Sequence, residues 1–178
     1  MGALFSLFIP KQAVGASLKY FDLFNASGSG SELLLHYCVP IVSGAAAVTG
    51  VLGVDLFLCR STSVGTGGTP ATREGVDPTA ATFSAWNHSG ILDANITARV
   101  TPSGGAATGA VLDMASVFTE ETNSATYQPI PNMARVPGLL DLPPIKIVQG
   151  QGVQGLQGSV ASVGNIAWSL LFEVVAKP

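Results

Sequence analysis

Apolar and polar residues alternate with a period of two along much of the chain, in short runs bounded by Gly, Pro, Ser and Asn. That is the pattern of half-buried strands, because successive side chains of an extended backbone point to opposite faces. "SLKYFDLFN" (17–25) sets Leu18, Tyr20, Asp22 and Phe24 against Lys19, Phe21 and Leu23. "SELLLHYCVPIV" (31–42) follows after "ASGSG", a turn-like composition, so the two runs predict a hairpin. Beyond the Gly/Ala-rich connection "SGAAAVTG", "VDLFLCRSTS" (54–63) predicts a third strand. "VLDMASVFT" (111–119) and "PIKIVQ" (144–149) read the same way, and "ILDANITARV" (91–100) suits a strand better than a short helix. The strongest run is "VGNIAWSLLFEVV" (163–175), which sets Ile166, Trp168, Leu170, Phe172 and Val174 against Ala167, Ser169, Leu171, Glu173 and Val175.

The intervening stretches predict loops. Residues from about 64 to 90 are rich in Gly, Pro and Thr with little apolar periodicity, the mark of a long surface excursion. "YQPIPNMARVPGLLDLPP" holds five of the 11 prolines and should run extended over the surface. Residues 1–16 open on an apolar run without the basic region and small-residue cleavage site of a secretion signal, and predict an N-terminal arm or edge strand. Residues 17–178 then make a single domain. About eight or nine strands, with no stretch of helical periodicity for parallel crossovers, predict an all-β, antiparallel, jelly-roll-like sandwich.

Composition adds a surface to this picture. Charged residues are 11% of the chain, against roughly 25% in ordinary soluble domains, while apolar residues are 47%. Ser, Thr, Gly, Asn and Gln must therefore cover the outside, a surface that tolerates contact with neighbours at low desolvation cost. Eight scattered Lys and Arg residues in a chain of net charge −3 form no stripe for nucleic acid, and the uncharged run Cys38–Val54 is too short and too rich in Gly, Ala and Ser to suggest a membrane span.

Candidate chemistry is sparse. Gly150-x-Gly152-x-x-Gly155 has the spacing of a dinucleotide-binding turn, but no helix follows to hold a pyrophosphate. The glycines instead predict a turn or bulge, with Val153 and Leu156 resuming the sheet. Gln149, Gln151, Gln154 and Gln157 would then form either an exposed ribbon for a neighbouring subunit or a solvated hairpin. Cys38 and Cys59 lack metal-ligand spacing and read as buried thiols, with a disulfide between them left open. His36 and His88 have no nucleophile or carboxylate at a recognisable spacing, so an enzyme is not expected. The separated acids, including Glu120-Glu121, carry no glycosidase or two-metal pattern, and no cofactor or metal is expected. Trp86, beside Asn87 and His88, is a candidate for stacking on a sugar or packing on a neighbour.

The order "KYFDLFNASGSGSELLLHYCVPIVSGAAAVTGVLGVDLFLCRST", a Thr/Gly/Pro-rich loop, then "PIKIVQGQGVQGLQ" and an apolar terminal strand resembles small β-sandwich virion proteins of tailed bacteriophages, of the capsid decoration or cement type. The resemblance covers roughly residues 17–63 and 143–175. It implies a homo-oligomer, a trimer favoured, made in the host cytoplasm and bound outside the phage head across neighbouring major capsid subunits. Leu4, Phe5, Phe8, Trp86, His88, Gln151 and Gln154 are then the expected partner contacts. A tail-associated or receptor-binding, carbohydrate-binding sandwich is the alternative.

Overall fold

The computed structural model describes residues 2–43, 52–73, 80–86, 92–106, 108–119, 143–160 and 164–176. In chain order the strands are β1 (Ala3–Ala13), β2 (Lys19–Asn25), β3 (Ser31–Ser43), β4 (Leu52–Ser61), β5 (Gly65–Thr66), β6 (Thr69–Pro70), β7 (Thr72–Arg73) and β8 (Thr82–Ala85). They continue as β9 (Ile96–Val100), β10 (Gly104–Gly105), β11 (Thr108–Thr119), β12 (Ile145–Ile147), β13 (Gln151–Gln157) and β14 (Asn165–Ala176). The chain is all-β among the described residues, and two six-stranded sheets pack as a sandwich. The first sheet runs β12-β3-β14-β1-β8-β7 and the second β11-β4-β13-β2-β9-β6, while β5 and β10 form a separate ribbon. Every pairing is antiparallel except β7 with β8.

The period-two pattern explains the core. Phe5, Leu7 and Ile9 of β1 and Ile166, Trp168, Leu170 and Phe172 of β14 turn inward and are buried. They meet Phe21 and Leu23 of β2 and Leu56 and Leu58 of β4 from the other sheet. Trp168 sits at the junction, its ring 5.3 Å from Phe21, edge-on, and 5.8 Å from Tyr20. Phe172 stacks on Phe5 at 5.9 Å and meets Phe83 edge-on at 6.2 Å.

Four expectations change. Residues 1–16 are neither an arm nor an edge strand: β1 lies between β14 and β8, because its alternation supplies a full inward row that needs neighbours on both sides. The excursion at about 64–90 is not all surface, since β8 joins β1 and buries Ala81, Thr82 and Phe83. Runs 17–25 and 31–42 do not form a hairpin, because β2 belongs to the second sheet and β3 to the first. The linker 26–30, with Gly30 at φ 64°, is long enough to bridge the roughly 10 Å between sheets. The glycine-rich stretch is likewise a crossing and not a bent hairpin: β12 lies in the first sheet, β13 in the second, and Gly150 at φ 78° makes the turn between them. The proline-rich segment lies outside the described residues.

Asn25 clasps the two crossings together. Its buried Nδ2 donates to Ser31 O at 2.9 Å and Ile147 O at 3.3 Å, and its backbone carbonyl accepts Gly150 N–H at 2.7 Å. Asn25→Ala should cost about 1–3 kcal/mol by removing the buried donor to Ile147 O, while Ser31 O keeps the Ser29 hydroxyl at 3.3 Å. Urea denaturation will read this as a lower midpoint, and a loss below about 0.5 kcal/mol would show that the crossings hold without the clasp.

Candidate functional site

On the first sheet the residues that alternate with the inward rows face outward, and they are unusually apolar. β1 presents Leu4, Ser6 and Phe8, β14 presents Ser169, Leu171 and Glu173, and β3 presents Leu34, Tyr37, Val39 and Ile41, all half-buried. An antiparallel sheet with one solvated face ordinarily carries polar residues there. Here the strands β1, β3 and β14 read as near-continuous apolar runs, the pattern of strands covered on both sides. The few polar groups are largely occupied with one another. Tyr37 OH and Ser169 Oγ lie 3.5 Å apart, and Lys146 Nζ pairs with Glu32 at 2.6 Å. Glu173 accepts the Gly2 N–H through Oε1, and its Oε2 is 3.5 Å from His36 Nε2. His36 is the extra residue of a bulge in β3, lying between Leu35, opposite Phe172, and Tyr37, opposite Leu171.

The expected contact residues scatter about this face. Leu4 and Phe8 lie on it, whereas Phe5 is turned into the core and offers nothing to a partner. Trp86 is 64% exposed at the end of β8, where its N–H bonds Leu4 O at 2.8 Å. Gln151 is exposed at the start of β13, but Gln154 and Gln157 are buried, so no glutamine ribbon faces outward. Gln157 Oε1 instead accepts the Tyr20 hydroxyl at 2.6 Å and Gly15 N–H at 2.9 Å, and burial pushes the Tyr20 phenol far above its ordinary range. His88 and the Glu120-Glu121 pair lie outside the described residues. The outer apolar face was missed in the sequence, although Leu4, Leu34, Tyr37, Val39 and Leu171 at off-phase positions of three strands carried the signal.

A second cluster lies on the outer face of the second sheet, under the β5/β10 ribbon. Asp22 and Gln154 are cross-strand partners there, both buried. Asp22 Oδ2 accepts Gly65 N–H at 2.7 Å, and Gly65 is packed so closely against Asp22, Pro102 and Ala106 that a side chain there would crowd all three. Lys19 Nζ donates to Ala106 O at 2.8 Å and Arg99 Nη1 to Gly67 O at 3.0 Å, fixing both arms of the ribbon. Burial raises the Asp22 carboxyl above its ordinary value, outweighing the Gly65 N–H, the Ser61 hydroxyl and the charges of Lys19 and Arg99. The Ser61 hydroxyl, which supports the Asp22 carboxylate, also lies 2.9 Å from Ser63 O.

Cys38 and Cys59 are free buried thiols, held in the neutral form by burial. Among the described residues no three His, Cys, Asp or Glu side chains gather as cation ligands, and no helix is long and apolar enough to cross a membrane. No protein family, curated protein or solved structure matches the chain, so the reading of this sandwich rests on its own faces.

Proposed function

We propose that the protein is a structural virion component, a decoration or cement protein that seats on the outside of a phage head and bridges major capsid subunits. The observation that carries this reading is the apolar outer face of the first sheet, continuous across β3, β14 and β1, which suits a protein partner. The strand order supports it. Setting aside β5 to β10, the remaining strands lie as β1-β14-β3-β12 and β2-β13-β4-β11, the winding of a jelly roll, an architecture common in viral shells. The mechanism is mass action: a partner that binds only assembled shell stabilises that shell, and many weak copies on one particle add by avidity.

Locating the protein in purified virions by electron microscopy, with its copy number from quantitative mass spectrometry, tests this. Hundreds of copies on the head surface are expected. Absence from the particle would end the proposal. The 64% exposure of Trp86 favours a second reading, a tail-associated or receptor-binding module that stacks a sugar on the indole. A few to a few tens of copies at the tail, with glycan binding lost in Trp86→Ala, would select that one.

A further inference from the structure

The register of the first sheet sets Trp86 in a row with a carboxylate. The β1/β8 ladder pairs Ser6 with Ser84 and Phe5 with Ala85, and the bond from Trp86 N–H to Leu4 O continues it by one residue. Side chains directly opposite in such a ladder share a face, so the indole lies beside the outward Leu4. Leu4 is in turn opposite Glu173 of β14. The row therefore reads Trp86, Leu4, Glu173 across three strands, and Ser84 and Ser6 begin the next row. β7 pairs with β8 at Thr82 and Phe83 alone, so among the described residues Ser84 and the indole stand at an open rim.

We propose that this end of the face is a binding site for neutral saccharides: one pyranose stacks its C–H face on Trp86, and the next gives hydroxyl protons to Glu173, with the Ser84 and Ser6 hydroxyls along the edge. This deepens the second reading, on which it rests for the sugar stacked on Trp86, and it needs no particle. The spacing suits the ligand. Adjacent strands are about 4.8 Å apart, so the indole and the carboxylate stand about 10 Å from each other, the span of a disaccharide laid across the strands. Glu173 is oriented before any ligand arrives, because Oε1 accepts the Gly2 N–H and His36 lies beside Oε2, yet 18% of its side chain stays accessible.

Chemistry selects the ligand. The negative face of an indole attracts the weakly positive C–H groups of a pyranose, and a carboxylate accepts hydroxyl donors in charge-assisted bonds. A wholly apolar ligand would bury Glu173 without a donor. An anionic sugar would meet the carboxylate, while the cation of this row, Lys146, lies beyond Leu34 at its far end and already pairs with Glu32. Phe8, Val39 and Ile41 lie toward the other end of the same strands, and leave that part of the face to a protein partner.

The test puts the purified protein on an array of neutral and acidic glycans, with no particle present. Neutral glycans should bind. The strongest of them, titrated in solution as the free oligosaccharide, should bind at least about tenfold more weakly to Trp86→Ala and to Glu173→Gln. Thermal midpoints should stay near that of the wild type, because Trp86 is exposed and a glutamine still offers an oxygen to Gly2 N–H. Val111→Asp, on the other sheet, should bind as the wild type does. The chain has two tryptophans and Trp168 is fully buried, so iodide quenching reads Trp86, and the bound sugar should protect it. No glycan bound, binding confined to sialylated or sulfated glycans, binding kept in either variant, or a bound protein whose Trp86 stays open to iodide would each overturn the site. Those outcomes leave docking through the apolar face standing, whereas absence from the virion ends the docking reading and leaves the sugar site in place.

Discussion

Trp168→Ala should lose about 3–5 kcal/mol of folding stability, the largest effect of any single substitution considered for this chain. A domain of this size has about 5–15 kcal/mol in total, so the variant will populate unfolded chain under mild denaturant. The reason is position. Trp168 is fully buried in the middle of the first sheet and meets Tyr20 and Phe21 of the second, so its removal opens a cavity where the two layers are knitted. Trp168→Phe should cost much less, because the indole Nε1 is buried without a partner and its removal also removes an unsatisfied donor. Gly155 completes the same contact from β13. A Cβ there would lie 2.5 Å from Phe21 Cε1 and 3.2 Å from Trp168 Cζ2, so Gly155→Ala should cost about 1–3 kcal/mol by overpacking. That cost should shrink in the Trp168→Phe background, because the smaller ring frees space for the methyl and the two sites couple. Urea denaturation of the four proteins measures this cycle. A Trp168→Ala loss under about 1 kcal/mol, or strictly additive costs, would mean that the core is organised elsewhere.

That glycine is also where sequence reasoning reached its limit. Rejecting a phosphate-binding role for Gly150, Gly152 and Gly155 needed only the missing helix. What the glycines do instead depends on contacts distant in sequence: Gly150 turns the chain between sheets, and Gly155 makes room for Phe21 and Trp168. The strands themselves were legible, since alternation is a local property, and most of the long ones fall where the period of two puts them. Pairing was not legible, because β2 and β3 both need to bury a row and nothing local says whether they do so side by side or across the sandwich. Burial of Gln154 and Gln157 was hidden for the same reason: a glutamine reads as exposed until Tyr20 and Gly15 supply partners. The candidate face was present in the letters, as apolar residues at both phases of β1, β3 and β14, but was absorbed into the expectation of strong strands.

If the protein docks on a phage head as proposed, Phe8→Asp combined with Leu171→Asp should lower particle occupancy at least about 100-fold while leaving the fold intact. The two residues are diagonal neighbours on β1 and β14, with Phe8 opposite Ser169 and Leu171 opposite Ser6, and both point away from the core. Each carboxylate would be buried unpaired in a docked face, at a cost of several kcal/mol, and a tenfold loss of affinity needs only about 1.4 kcal/mol. In the undocked protein the same carboxylates remain hydrated, so the thermal midpoint should move little. Removing residues 1–12 cannot make this distinction, since it takes out an interior strand together with Phe5, Leu7 and Ile9. Val111→Asp is the matched control, a residue 59% exposed on the edge strand β11 of the other sheet, and it should bind as the wild type does. Occupancy measured on particles incubated with each purified variant separates the outcomes. Loss in the double variant alone places docking on the first sheet. Loss in Val111→Asp alone moves it to the second, and undiminished occupancy in every variant leaves the apolar face without a role in the particle.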